Sequence, residues 1–212
     1  MTHRRRGHIK TKPTFAVVVD GDCEVWYLQM LKRNERSINV NIEPKIPQKK
    51  KLSEQFENVK SLSKDYKKVF WIIDFDTILS EARNARNGER TRLQEFEAYH
   101  TEVNDEHDNI VIIINNPCLE YWLLLHFEAT AKVFTNCVEA QKQLKKHLTD
   151  YEKTQKYYTK ENDIYKKLRP KLKTAIKNSI ALGSFDITNP NKALAEMSLF
   201  FHDDEFGEHF KS

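Results

Sequence analysis

FAVVVDG (15–21) is an unbroken apolar, valine-rich run closed by Asp-Gly, the pattern of a strand buried on both faces. CEVWYLQMLKRN follows with Val25, Leu28 and Leu31 at helical spacing beside Trp26 and Tyr27, which predicts a helix from about Cys23. INVNIEP (38–44) alternates weakly and predicts a second strand, ended by Pro44. In residues 52–66, Leu52, Phe56, Val59 and Leu62 form one helical stripe. VFWIIDFD (69–76) predicts a third buried strand running into two aspartates. Residues 88–103 predict a charged helix with Leu93, Phe96 and Tyr99 inward. NIVIIINNP (109–117) predicts a fourth strand, and CLEYWLLLHFEA (118–129) a short, buried helix.

Strand and helix thus alternate four times with short connections. That order predicts an open α/β fold, a parallel sheet flanked by helices. From Phe134 onward the apolar positions recur at helical spacing, interrupted by Pro170 and by GSFDITNPNK. Three segments follow: a basic arm (1–13), an α/β domain (14–132) and a helical, lysine-rich region (133–212).

Composition narrows the class. The 212 residues are 39% hydrophobic and 31% charged, enough for a packed core, and five glycines and six prolines exclude collagen-like sequence. No apolar run approaches the roughly 18–20 residues of a membrane-spanning helix, and MTHRRRGHIKTK leads into no secretory apolar stretch. Cys23, Cys118 and Cys137 are an odd number without a CxxC pair, so neither a disulfide framework nor a zinc knuckle is expected. These features point to a soluble, cytoplasmic protein with no membrane partner.

The net charge of +4 hides an uneven distribution. Residues 1–12 carry +5 and residues 142–177 carry +8, which leaves −9 for the rest. Basic segments on an acidic body suggest a polyanion partner, and clustered carboxylates suggest a cation.

In an open α/β sheet, ligands gather outside the carboxyl ends of the strands. This sequence puts Asp20, Asp22 and Glu24 after strand one, Asp74 and Asp76 at strand three, and Asn115-Asn116-Pro117 with Glu120 at strand four. Such a cluster repels itself, and a hard divalent cation bound by oxygen is one remedy. Asp74 and Asp76 would point to the same side if the strand ran through both. Taken singly, Asp22 or Asp76 reads first as a helix cap, and Glu24 can be read as an ordinary first-turn acid. Glu120 is harder to dismiss, because it sits beside Leu119, Trp122 and Leu123 and needs a partner if buried.

These residues carry a resemblance. VVVDGDCEVWYL resembles the Glu-Gly-x-Thr-Glu turn that opens Toprim-type domains, and WIIDFD their Asp-x-Asp motif. NNPCLEYWLLLHFE resembles the Asn-Pro-x-x-Glu-x-Trp-Leu-Leu-x-His segment of the RloB-like family. The resemblance implies a Toprim-like fold with Mg²⁺ (or Mn²⁺) at the acidic edge. It also implies a nuclease that serves bacterial anti-phage defence beside an ATPase partner. Carried over by position, Glu24 is a general acid/base or metal ligand, Asp74 and Asp76 are the metal pair, and Glu120 is the later acid. Asp20 stands where glutamate is usual and Cys23 where threonine is usual. These departures keep a second reading open, a non-catalytic nucleic-acid-binding or adaptor subunit.

The lysine-rich region interleaves Lys166, Lys167, Arg169 and Lys171 with Tyr151, Tyr157, Tyr158 and Tyr165. That mixture suits phosphate contacts and stacking on unpaired bases. Cys118 and His126 on their apolar helix read as core, and the acids and histidines of HDDEFGEH (202–209) as a solvated tail.

Overall fold

A computed structural model of the chain describes residues 15–36, 40–43, 51–86, 88–204 and 207–210; the basic arm 1–13 lies outside them. The valine run forms β1 (Phe15–Val19), buried at every position. It leads into α1 (Asp22–Asn34), β2 (Val40–Glu43), α2 (Leu52–Leu62), β3 (Lys68–Asp74) and α3 (Phe75–Arg83). Then come α4 (Arg92–Glu106), β4 (Ile110–Asn116) and α5 (Leu119–Leu125). The last third contributes α6 (Cys137–Leu144), α7 (Gln155–Thr159), α8 (Ile164–Leu168), α9 (Leu172–Ala181), β5 (Leu194–Ala195) and α10 (Met197–His202).

The sheet order is β2-β1-β3-β4-β5. The first four strands are parallel and the two-residue β5 is antiparallel to β4. The expected mixed α/β architecture, a mostly parallel open sheet between helices, is therefore present. Alternation along β3 divides the core between the two layers. Trp71 stacks on Phe56 of α2 (5.8 Å), which stacks on Tyr99 of α4 (4.2 Å). Its neighbour Phe70 meets Phe200 of α10 edge-on at 4.9 Å. Trp122 of α5 stacks on Phe201 of that helix and donates to the Tyr27 hydroxyl of α1, so α1, α5 and α10 share the second face. Because β1 pairs with β2 on one side and β3 on the other, strand order reverses between β1 and β3. A crevice opens there at the carboxyl edge.

Four expectations need correction. Strand three does not continue through Asp76; the chain turns into α3 at Phe75, whose fully buried ring packs on Phe96 and Phe185 at 5.3 and 5.1 Å. Helix α4 begins at Arg92 rather than Gly88, because Thr91 accepts from the Gln94 N–H and the Gln94 side chain accepts from the Thr91 N–H, a reciprocal cap. Cys118 and Cys137, 19 residues apart, form a disulfide across the starts of α5 and α6, while Cys23 is free and buried. Spacing gave no hint of that pair, since the fold rather than a local motif joins it. Finally, the four tyrosines of the lysine-rich region are all buried. Tyr158 packs on Trp26 (5.6 Å) and Tyr165 on Tyr27 (6.2 Å), so they fasten α7 and α8 to α1 and are closed to bases.

Polar links reinforce that docking. Asp163, fully buried, caps α8 by accepting from the Lys166 N–H (2.8 Å) and also accepts from Arg33 (2.6 Å) and Asn34 (3.0 Å) of α1. In the acidic tail, Asp203 is ion-paired with Lys68. No helix among the described residues is long and apolar enough to cross a membrane.

Candidate active site

Gly21 is the N-cap of α1, and it sets the site's first dimension. A Cβ at this position would lie 2.6 Å from the Glu24 Oε2 atom, so the bare α-carbon gives the Glu24 carboxylate its place. Glu24 is 3% exposed and its Oε1 has no hydrogen-bond partner among the described residues. Burial, opposed by its own N–H, pushes its carboxyl up to about 7, with Glu120 and Asp20 adding repulsion and Lys153 attraction.

Asp74 closes β3 at the N-cap position of α3 without capping that helix. Its Oδ1 accepts instead from the Leu119 N–H at the start of α5 (3.0 Å). Burial raises its carboxyl well above the usual range, and Glu24 and Glu120 raise it further while Lys153 opposes. Asp76 does the same service for another helix: its Oδ2 accepts from the Cys137 N–H that opens α6 (3.2 Å). Burial raises Asp76 too, against the Cys137 and Thr77 hydrogen bonds. Two carboxylates thus sit on the free N–H groups of helix starts distant in sequence.

Glu120 has no exposed surface. Its Oε1 accepts from Tyr151 (3.0 Å) and pairs with Lys153 (3.1 Å), and its Oε2 lies 3.0 and 2.9 Å from the two disulfide sulfurs. Lys153 is the site's cation, 45% exposed. Burial lowers its affinity for the proton, but Glu120, Cys23 and Asp74 together hold it above the usual lysine range. Asn115, the register partner of Asp74 on β4, is wholly buried with both amide atoms unpartnered.

Asp20 stands apart. Its Oδ1 accepts from Gln55 of α2 (2.8 Å), which in turn accepts from the Trp71 indole (3.1 Å). That relay ties Asp20 to the α2 layer, whereas Glu24 and Asp74 contact the α1 and α5 layer. Burial raises its carboxyl, against the Gln55 hydrogen bond.

Glu24, Asp74, Asp76 and Glu120 therefore come together at one edge, with Asp20 on its far side. The basic residues singled out by sequence lie elsewhere and are largely engaged. Lys166 donates to the Glu161 carbonyl, Lys167 pairs with Asp150 (2.9 Å), Arg169 pairs with Glu35 (2.9 Å), and Lys171 lies over the Phe127 ring (5.0 Å). Sequence reasoning missed Lys153 and Tyr151 as parts of the site. In a stretch with lysine or tyrosine at nearly every turn, nothing local separates the two that fold back on Glu120.

Oxygen donors in this arrangement suit a hard divalent cation. The unpartnered Glu24 oxygen, the unpartnered Asn115 amide and the mutual repulsion of Glu24 and Asp74 fit such an ion, although Glu24, Asp74 and Asp76 do not bring three ligand oxygens within 4.8 Å of one another. Glu120 fits it less well, because Lys153 and Tyr151 already satisfy one oxygen. A family model described as RloB-like protein matches residues 15–199. No curated protein and no solved structure matches the chain.

Proposed function

The chain belongs to the RloB-like family, and from that premise we propose that it is a Mg²⁺-dependent phosphodiesterase, a nuclease with a Toprim-like acidic centre. One observation carries the reading: a buried, unpartnered Glu24 oxygen beside Asp74 at the switch point of the sheet. Glu24 and Asp74 hold the cation, with Asp76 at the rim of the same edge. A bound Mg²⁺ supplies neutralisation of phosphate charge and a more acidic bound water.

The chain's own groups do the rest. Glu24, holding the cation through one oxygen, keeps the other to take a proton from the attacking oxygen and to return one to the leaving oxygen. Lys153, anchored by Glu120 yet 45% exposed, presents a positive charge where a phosphate oxygen gains negative charge. Glu120 acts through Lys153 as a positioning residue. An ATPase partner and a role in anti-phage defence belong to the same proposal and rest on the family.

A second reading, a non-catalytic adaptor subunit, is favoured by Asp20 being tied to Gln55 and by Glu120 being matched by Lys153. Cleavage assays on the chain, alone and with its ATPase partner, separate the two. Cleavage of DNA or RNA requires Mg²⁺ and falls about 10²–10⁴-fold in Glu24→Gln, the usual worth of proton transfer. Equal cleavage by Glu24→Gln removes the proton-transfer role. No cleavage of either nucleic acid under any condition favours the adaptor.

A further inference from the structure

Asp76 is the first polar residue of a stripe along α3. Asp76, Thr77, Ser80 and Arg83 recur at helical spacing and, with Thr135 and Asn136 opposite, line an open groove of about 640 Å³. Arg83 also lines a second groove of about 710 Å³, beside Arg86 and Arg90 in the α3–α4 connection. The two grooves meet at that residue, which lines both.

Residues 83–92 hold four arginines and one glutamate, a net +3. Arg92 is taken up by Glu81 and Glu95, both at 2.6 Å. Glu81, which lines the first groove with Asp76, thus shares one guanidinium with Glu95. Arg90 donates to the Gln94 carbonyl at 3.3 Å and stays exposed. The side chains of Arg83 and Arg86 are exposed and make no hydrogen bond or ion pair among the described residues. Their guanidinium groups are thus available, in contrast to the paired Lys167 and Arg169.

We propose that this path, from Asp76 over Thr77, Ser80 and Arg83 to Arg86 and Arg90, is the track for the phosphate backbone of a nucleic-acid strand entering the acidic edge. Hydroxyl groups and free guanidinium groups are the side chains that bind phosphate oxygens. Asp76 and Arg83 are separated by seven helical residues, about 10 Å along the axis, so the stripe is long enough to meet more than one phosphate of a strand. The track rests on the phosphodiesterase reading for its destination, but its charges are tested by binding alone.

The probe is a fluorescent 20-nucleotide single strand, in DNA and RNA versions, binding to Glu24→Gln protein in Mg²⁺ so that the strand stays intact. Affinity is measured by anisotropy across a salt series. In that background, Arg83→Gln/Arg86→Gln/Arg90→Gln flattens the slope of log affinity against log salt by about two, at roughly 0.7 per phosphate. Arg83→Gln alone flattens it by about 0.7 and serves if the triple variant misfolds. The rival surface, Lys166→Gln/Lys167→Gln/Arg169→Gln/Lys171→Gln, changes the slope less although it removes more charge. An unchanged slope in the arginine variants, or a larger change in the lysine variant, overturns the track. If the parent binds neither strand, the track also falls. Heat of Mg²⁺ binding to the wild-type protein then tells whether the phosphodiesterase reading falls with it or stands without this path.

Discussion

Replacing Glu24 by glutamine removes a charge that the fold holds at a cost. The carboxyl titrates at about 7 in the native protein against an ordinary 4.5. The folded state therefore holds a proton that the unfolded chain has released between those pH values. Stability from this group is fully present below pH 4.5 and is lost as pH rises through 7. At 1.36 kcal/mol per pH unit, the loss is about 3 kcal/mol. Urea denaturation followed by tryptophan fluorescence, without divalent cations, measures it at pH 5 and pH 8.5. Wild type and Glu24→Gln are close at pH 5; at pH 8.5 the variant is the more stable by about 3 kcal/mol. Asp20, Asp74 and Asp76 are raised too, so wild-type stability falls with pH for several reasons. The difference between the two proteins isolates Glu24 and the strain it puts on Asp74. Adding Mg²⁺ at pH 8.5 narrows the gap, because only the wild type keeps the full ligand set. A gap that does not widen from pH 5 to pH 8.5 refutes the picture of a buried, repelled carboxylate.

Gly21→Ala pushes the Glu24 carboxylate from its place; calorimetry records weaker Mg²⁺ binding, while circular dichroism stays that of the wild type. Asp163→Ala strips partners from Arg33, Asn34 and the start of α8, and costs about 2–3 kcal/mol in urea denaturation, below the full value of a buried pair because Arg33 is 45% exposed.

The sheet was legible because β1 and the middles of β3 and β4 are unbroken apolar runs alternating with helical stretches, as a doubly covered parallel sheet requires. The acidic edge followed from where those strands stop. Less legible were features decided by contacts distant in sequence. Asp74 and Asp76 read as a strand pair or as local caps, but they serve the starts of α5 and α6. Phe75 begins a helix because a pocket of Phe96 and Phe185 receives it. The basic region read as a nucleic-acid face from composition alone. Its tyrosines went to the core and its charges to Asp150 and Glu35, because α7 and α8 need an apolar side to dock on α1. The arginines of residues 83–92 drew no notice, since four charges in a charged helix-to-helix connection look like ordinary solvated sequence.

Whether the Glu24 and Asp74 carboxylates hold a divalent cation is decided by a crystal structure of the wild-type protein grown with Mn²⁺. An anomalous peak is expected within bonding distance of both carboxylates, roughly 2.0–2.3 Å from their oxygens, with Lys153 still on Glu120. Crystals without a peak there at saturating Mn²⁺, with the Lys153 ammonium turned onto Asp74 and Glu24 in its place, would contradict it.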